Sequence, residues 1–138
     1  MSEISRTYPQ HHISSSAPLR NQVLREVLLG NLQDSAEAIE RCTAGRDIRA
    51  VFALPALRDE LMESLALMSD SARSLAADDR ACMPGVDWAT WDALSLQQAS
   101  TAREWRERVW AIIQVLVPVT RREVSRYLRR SAETASRH

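Results

Sequence analysis

The side chains best suited to chemistry in this chain are arginines. Arg103, Arg106 and Arg108 alternate with Glu104 and Glu107, and a guanidinium fork can hold a phosphate or a carboxylate through two hydrogen bonds at once. One reading of the run is a solvated helical turn steadied by charge pairs; the other is a phosphate-binding surface built on Arg103 and Arg106. Asp70 and Arg73 stand three residues apart, a spacing open to acid–base work but more often that of a surface ion pair. Ser95 and Ser100 carry hydroxyls, yet no histidine or lysine is available to activate them and neither sits in a Gly-x-Ser-x-Gly elbow. Nucleophilic catalysis is therefore discounted.

The other candidate groups are sparse. His11, His12 and His138 lie at the two ends of the chain, and none occurs between them. Cys42 and Cys82 have no Cys-x-x-Cys spacing and no histidine nearby, so neither a zinc site nor a redox motif is expected. Both read as free, small core residues. With Gly30, Gly45 and Gly85 as the only glycines, no phosphate-cradling loop is present. No metal and no cofactor is expected.

A chain of 138 residues, 45% apolar and 26% charged, has the size and composition of one globular domain. Its formal charge is zero, which argues against a protein that works mainly by gripping nucleic acid through charge. All eighteen cationic side chains are arginine. The longest apolar run, Ala111 to Val119, is interrupted by Gln114 and too short to cross a bilayer, and no signal peptide is evident,. The expected location is the cytoplasm.

The elements that must position these residues read as helices throughout. Residues 1–18, with Pro9, His11, His12 and Ser14-Ser15-Ser16, lack helical periodicity and are expected to form a disordered tail,. From Leu19 a first helix follows Leu24, Leu28, Leu32, Ile39 and Cys42, with Gly30-Asn31 as a place to kink and Gly45 as its C-terminal stop,. Asp47 caps a short helix through Phe52 that ends before Pro55,. Leu57, Leu61, Leu65, Met68, Ala72 and Leu75 stripe the next helix, and Asp78-Asp79 with Pro84-Gly85 break it,. Asp87 caps a helix bearing Trp88, Trp91, Leu94 and Gln98 on one face,. The last helix runs from about Arg103 to Arg130 and bends at Pro118, and 131–138 should fray,. This predicts an all-α antiparallel four-helix bundle over 19–130 with one short extra helix. The tryptophans Trp88, Trp91, Trp105 and Trp110 are expected in its core or at a subunit interface.

The frame Pro84-Gly85-Val86-Asp87-Trp88, then Leu94, then Val109-Trp110 with Pro118 eight residues on, resembles the second half of a HepT-type toxin of the HEPN ribonuclease superfamily. Leu32-Gln33-Asp34, Ala38-Ile39-Glu40-Arg41 and Thr43-Ala44-Gly45-Arg46-Asp47 resemble that family's first helix and the turn after it. Phe52 stands where the family commonly has phenylalanine, and Asp70 where it has a glutamate. The likeness spans about Leu24 to Leu128.

The resemblance implies an HEPN-like bundle, a homodimer whose two subunits line one cleft, metal-independent RNA cleavage, and a minimal nucleotidyltransferase partner that adenylylates a motif tyrosine. The family's Arg-x4-His-x-Tyr motif, however, reads Ser95, Ser100 and Ala102 here. A serine hydroxyl neither exchanges protons near neutral pH nor faces a phosphate with positive charge. The expectation is a catalytically degenerate HepT-like protein that binds rather than cuts, with Arg103 and Arg106 as phosphate or partner contacts and RNA binding as a secondary property. The alternatives are a ribonuclease toxin with a relocated site, and a helical-bundle adaptor or nucleotidyltransferase substrate-binding partner.

Overall fold

The computed structural model describes residues 2–96 and 102–136, with side chains described for 17–96 and 103–136. Every regular element among them is helical. In chain order they are α1 (Ser2–Thr43), α2 (Ile48–Ala53), α3 (Pro55–Ser74), α4 (Ala77–Ala81), α5 (Trp88–Ala93), α6 (Ala102–Ala111), a π-helical turn (Ile112–Leu116) and α7 (Val117–Ser136).

Local chemistry accounts for most of the boundaries. α1 ends at Thr43, two residues before Gly45, which takes φ +66°, a left-handed conformation open to glycine at little cost. Asp47 then accepts from the Ala50 N–H at 2.8 Å and caps α2, and Pro55 starts α3 at a position where a missing N–H does no harm,. Asp87 caps α5 in the same way, accepting from the Thr90 N–H at 3.1 Å and from the Thr90 hydroxyl at 2.6 Å.

The core is one cluster. Leu29, Leu32, Ala36 and Ile39 of α1 meet Leu61, Leu65, Met68 and Ala72 of α3, and Trp91, Val109, Val117 and Val124 close it from the second half of the chain. α1 packs chiefly on α3 and also on α7. The α1–α7 seam has a polar edge, where Arg121 Nε donates to Glu40 Oε1 at 2.6 Å and Gln33 donates to the Ser125 hydroxyl at 3.1 Å. Trp91 is fully buried, whereas Trp88, Trp105 and Trp110 are half-buried against the cluster.

The elements depart from the sequence reading at several places. Helical backbone begins at Ser2 and occupies 2–18, where a disordered tail is expected, and α1 continues through Gly30 without a break. Apolar periodicity locates only the packed part of a helix, and among the described side chains of α1 burial begins at Leu28. The break expected at Asp78-Asp79 contains the short helix α4. α5 stops at Ala93, since Leu94 is extended, so the helix expected to run on towards Gln98 is six residues long and Gln98 lies outside the described residues. Cys42 is buried as expected, but Cys82 is exposed, because it follows α4 at a corner of the chain.

Where a bend is expected at Pro118, the helix carries a π turn just ahead of it. Proline lacks the N–H that would bond back into the helix, and its ring presses on the carbonyl four residues earlier. Just ahead of it the Val117 N–H bonds to the Ile112 carbonyl, five residues back instead of four. That wider turn makes room for the ring, and α7 then runs on to Ser136, past the point where fraying is expected,.

Candidate arginine-lined cleft

Three arginines converge where α2 meets the start of α6. Phe52 of α2 and Trp105 of α6 pack edge to face with ring centroids 5.9 Å apart, and the Trp105 indole N–H donates to the Leu96 carbonyl at 3.3 Å. This contact sets α2 beside α6. Above it opens a cavity of about 460 Å³ lined by Ile48, Arg49, Arg103, Arg106 and Glu107. Arg103 pairs with Glu107 across 3.2 Å, with both side chains well exposed, so this pair adds little stability. The arrangement is a concave basic surface with one carboxylate in it, suited to a phosphate or an acidic side chain.

Arg49 is the member that sequence reasoning misses. Nothing in its local pattern marks it. Its place in the cleft follows from the Phe52–Trp105 contact between segments some fifty residues apart, which no periodicity reports.

Of the three positions that the resemblance sets against the Arg-x4-His-x-Tyr motif, Ser95 alone has a described side chain. Ser95 is exposed and borders a separate cavity of about 350 Å³ lined in part by Ala93, Leu94, Arg108 and Ile112. Ser100 lies outside the described residues; Ala102 opens α6, and its side chain is not among those described. Asp70 is exposed on α3, where its carboxylate accepts from Arg73 at 2.8 Å. The same arginine donates to the Leu94 carbonyl at 3.4 Å, so the Asp70–Arg73 pair is a tie between α3 and the end of α5. Among the described residues no cluster of His, Cys, Asp or Glu is placed to hold a metal, and no helix is long and apolar enough to cross a membrane.

A stronger charged tie lies on the other side of α5. Arg80 donates to both oxygens of Asp92, at 2.8 and 2.7 Å, and to the Ala72 carbonyl at 2.8 Å, and its guanidinium sits 5.3 Å from the Trp88 ring centre. The hydrogen bond from Arg80 holds the Asp92 carboxyl below its ordinary range, and that bond also raises Arg80 above its own. Asp87 is lowered as well, first by the Thr90 hydroxyl and then by the Thr90 N–H. Burial pushes the Cys42 thiol up, helped by the charge of Glu60. The Asp92, Arg80 and Asp87 shifts belong to caps and ties.

No family model, curated protein or solved structure matches the chain.

Proposed function

We propose that this protein is a catalytically degenerate relative of the HepT-type HEPN proteins, working by binding rather than by cleavage. In this reading α1, α3, the α5 segment and the α6–α7 rod are the four members of an HEPN-like bundle. The observation that carries it is the commitment of Asp70. The acidic residue at the family position is paired to Arg73, and Arg73 is bonded to the carbonyl of Leu94, one residue before Ser95. A structural tie beside Ser95, in place of groups that exchange protons near neutral pH, supports binding over cleavage.

Two kinds of surface serve binding in this reading. A second copy of the chain or a minimal nucleotidyltransferase covers apolar surface, and the cleft of Arg49, Arg103 and Arg106 takes phosphate or an acidic partner group. Purified protein should leave a structured RNA intact, and should accept no AMP from a cognate nucleotidyltransferase and ATP while still binding that enzyme. Robust RNA cleavage by the purified protein would overturn this reading. Cleavage that disappears on replacing Arg103 and Arg106 would establish the relocated ribonuclease site instead.

A further inference from the structure

The arginine cleft continues along its own helix. α6, the π turn and α7 follow one another without a break, and Ile112, Leu116, Thr120 and Val124 are all buried, so steps of four residues hold one face across the wider turn. The same steps hold a second face. They lead from Trp110 through Gln114 and Pro118 to Arg122, and ordinary helical spacing adds Arg106 and Arg103 at one end and Arg129 at the other,.

Arg122 and Arg129 line a second cavity, of about 490 Å³, with Pro118, Arg121 and Ser125. Arg121 is taken up by Glu40 and Ser125 by Gln33, both from α1, whereas Arg122 and Arg129 are exposed and form no ion pair among the described residues. Two charges in this cavity are thus left without a counter-charge. Trp110 is half-buried on the stripe between the two cavities, and the stripe measures about 39 Å from Arg103 to Arg129 at 1.5 Å per residue. Cations, a ring and cations follow one another along one line.

We infer that this stripe is one track for a single-stranded nucleic acid, with phosphates at Arg103 and Arg106, phosphates at Arg122 and Arg129, and a base against the Trp110 ring between them. The inference rests on the cleft part of the functional reading and extends that cleft along the rod. Arginine forks hold phosphate through paired hydrogen bonds, and an unpaired base stacks on an aromatic ring, which a base held inside a duplex is not free to do. An acidic protein segment answers the cations alone. The ring therefore selects the strand. Phosphate contacts carry no sequence information, and stacking accepts every base; neither reads the sugar hydroxyl that separates RNA from DNA. Strands of both kinds should bind alike.

Fluorescence anisotropy of the full chain with labelled oligo-U and oligo-dT tests this, at a length of about twelve nucleotides, inside the roughly 4–16 that a single-strand-binding fold covers. Both strands should bind equally well, and a duplex of the same length more weakly. Arg122→Gln and Arg129→Gln should each flatten the log–log salt dependence by about 0.7, whereas Arg58→Gln on α3 should leave it unchanged. The strand should quench tryptophan fluorescence in wild type, and Trp110→Phe should lose most of that quenching. Slopes unchanged at Arg122 and Arg129 but flattened by Arg103→Gln would overturn the track and leave the cleft reading standing. Flattening at Arg122 and Arg129 but not at Arg103 would remove the cleft reading and the track with it. An equally tight duplex, quenching undiminished in Trp110→Phe, or displacement of the strand by poly-glutamate of matched charge would overturn the single-strand assignment. Failure of both strands to bind overturns the track and leaves the cleft to an acidic group on a protein partner.

Discussion

The indole N–H of Trp91 donates to the hydroxyl of Thr120 across 3.0 Å, and both side chains are fully buried. The hydroxyl is used twice, because it donates in turn to the Leu116 carbonyl at 2.7 Å. One threonine thereby joins α5 to the start of α7, just after the π turn. Thr120→Val keeps the shape and removes the acceptor, leaving a buried N–H unpaired at a cost of about 1–3 kcal/mol. Thr120→Ser keeps the bond and loses one methyl group, about 1 kcal/mol. Urea unfolding followed by tryptophan fluorescence should rank wild type above Ser above Val; a Val variant as stable as wild type would show that the bond contributes nothing.

Acid should weaken the tie between Arg80 and Asp92. The Asp92 carboxyl is held below its ordinary range in the folded chain, so between the lowered folded value and an unfolded value of about 3.9 the unfolded state binds more protons. The stability this pair supplies is full above the unfolded value and is lost as pH falls through the folded one. Asp92→Asn should therefore lower the urea midpoint at pH 7 and show a smaller difference from wild type at pH 3. Asp87 shifts in the same direction but is present in both proteins and cancels. A difference that is the same at both pH values would remove Asp92 as the source.

Much of this fold is legible wherever a residue acts on its own neighbourhood. Gly45 stops α1, Asp47 and Asp87 cap the helices that follow them, and Leu61, Leu65, Met68 and Ala72 are buried at the spacing that marks them. The limits of α1 and α5 are not legible in that way. Leu24 stands on the apolar stripe of the first helix and is 54% exposed, because periodicity shows that a face is apolar without showing what covers it. The candidate cleft divides similarly. Arg103 and Arg106 can be picked out as a pair on one helix, whereas Arg49 joins them only through the packing of Phe52 on Trp105.

Gly85 and Glu123 should be energetically coupled. A Cβ on Gly85 would strike the Glu123 carboxylate, which is only 16% exposed and pairs with Arg126 at 3.2 Å. Gly85→Ala should push that carboxylate out and cost about 1 kcal/mol, but should cost close to nothing in a Glu123→Ala background. A double-mutant cycle on thermal or urea unfolding reads the coupling directly. Equal costs in the two backgrounds would place the strain in the backbone at Gly85 itself.

The arginine cleft makes predictions of opposite sign for neighbouring residues. If Arg49, Arg103 and Arg106 hold the phosphates of a single-stranded RNA, affinity must fall with salt, with a log–log slope of about −0.7 for each phosphate neutralised. Arg103→Gln should lower affinity and flatten that slope by about 0.7. Glu107→Gln should do the reverse to affinity, because Glu107 lies 3.2 Å from Arg103 and competes with phosphate for it. Fluorescence anisotropy of a labelled oligonucleotide over a range of salt concentrations measures both. The pair of substitutions also separates a built site from diffuse attraction. The two changes shift net charge in opposite directions by one unit, as would Arg58→Gln and Asp59→Asn, which pair loosely on α3 outside the cleft at 3.7 Å. Effects as large at Arg58 and Asp59 as at Arg103 and Glu107 would mean that RNA feels only the charge of the whole protein, and that the cleft recognises an acidic group on a protein partner instead.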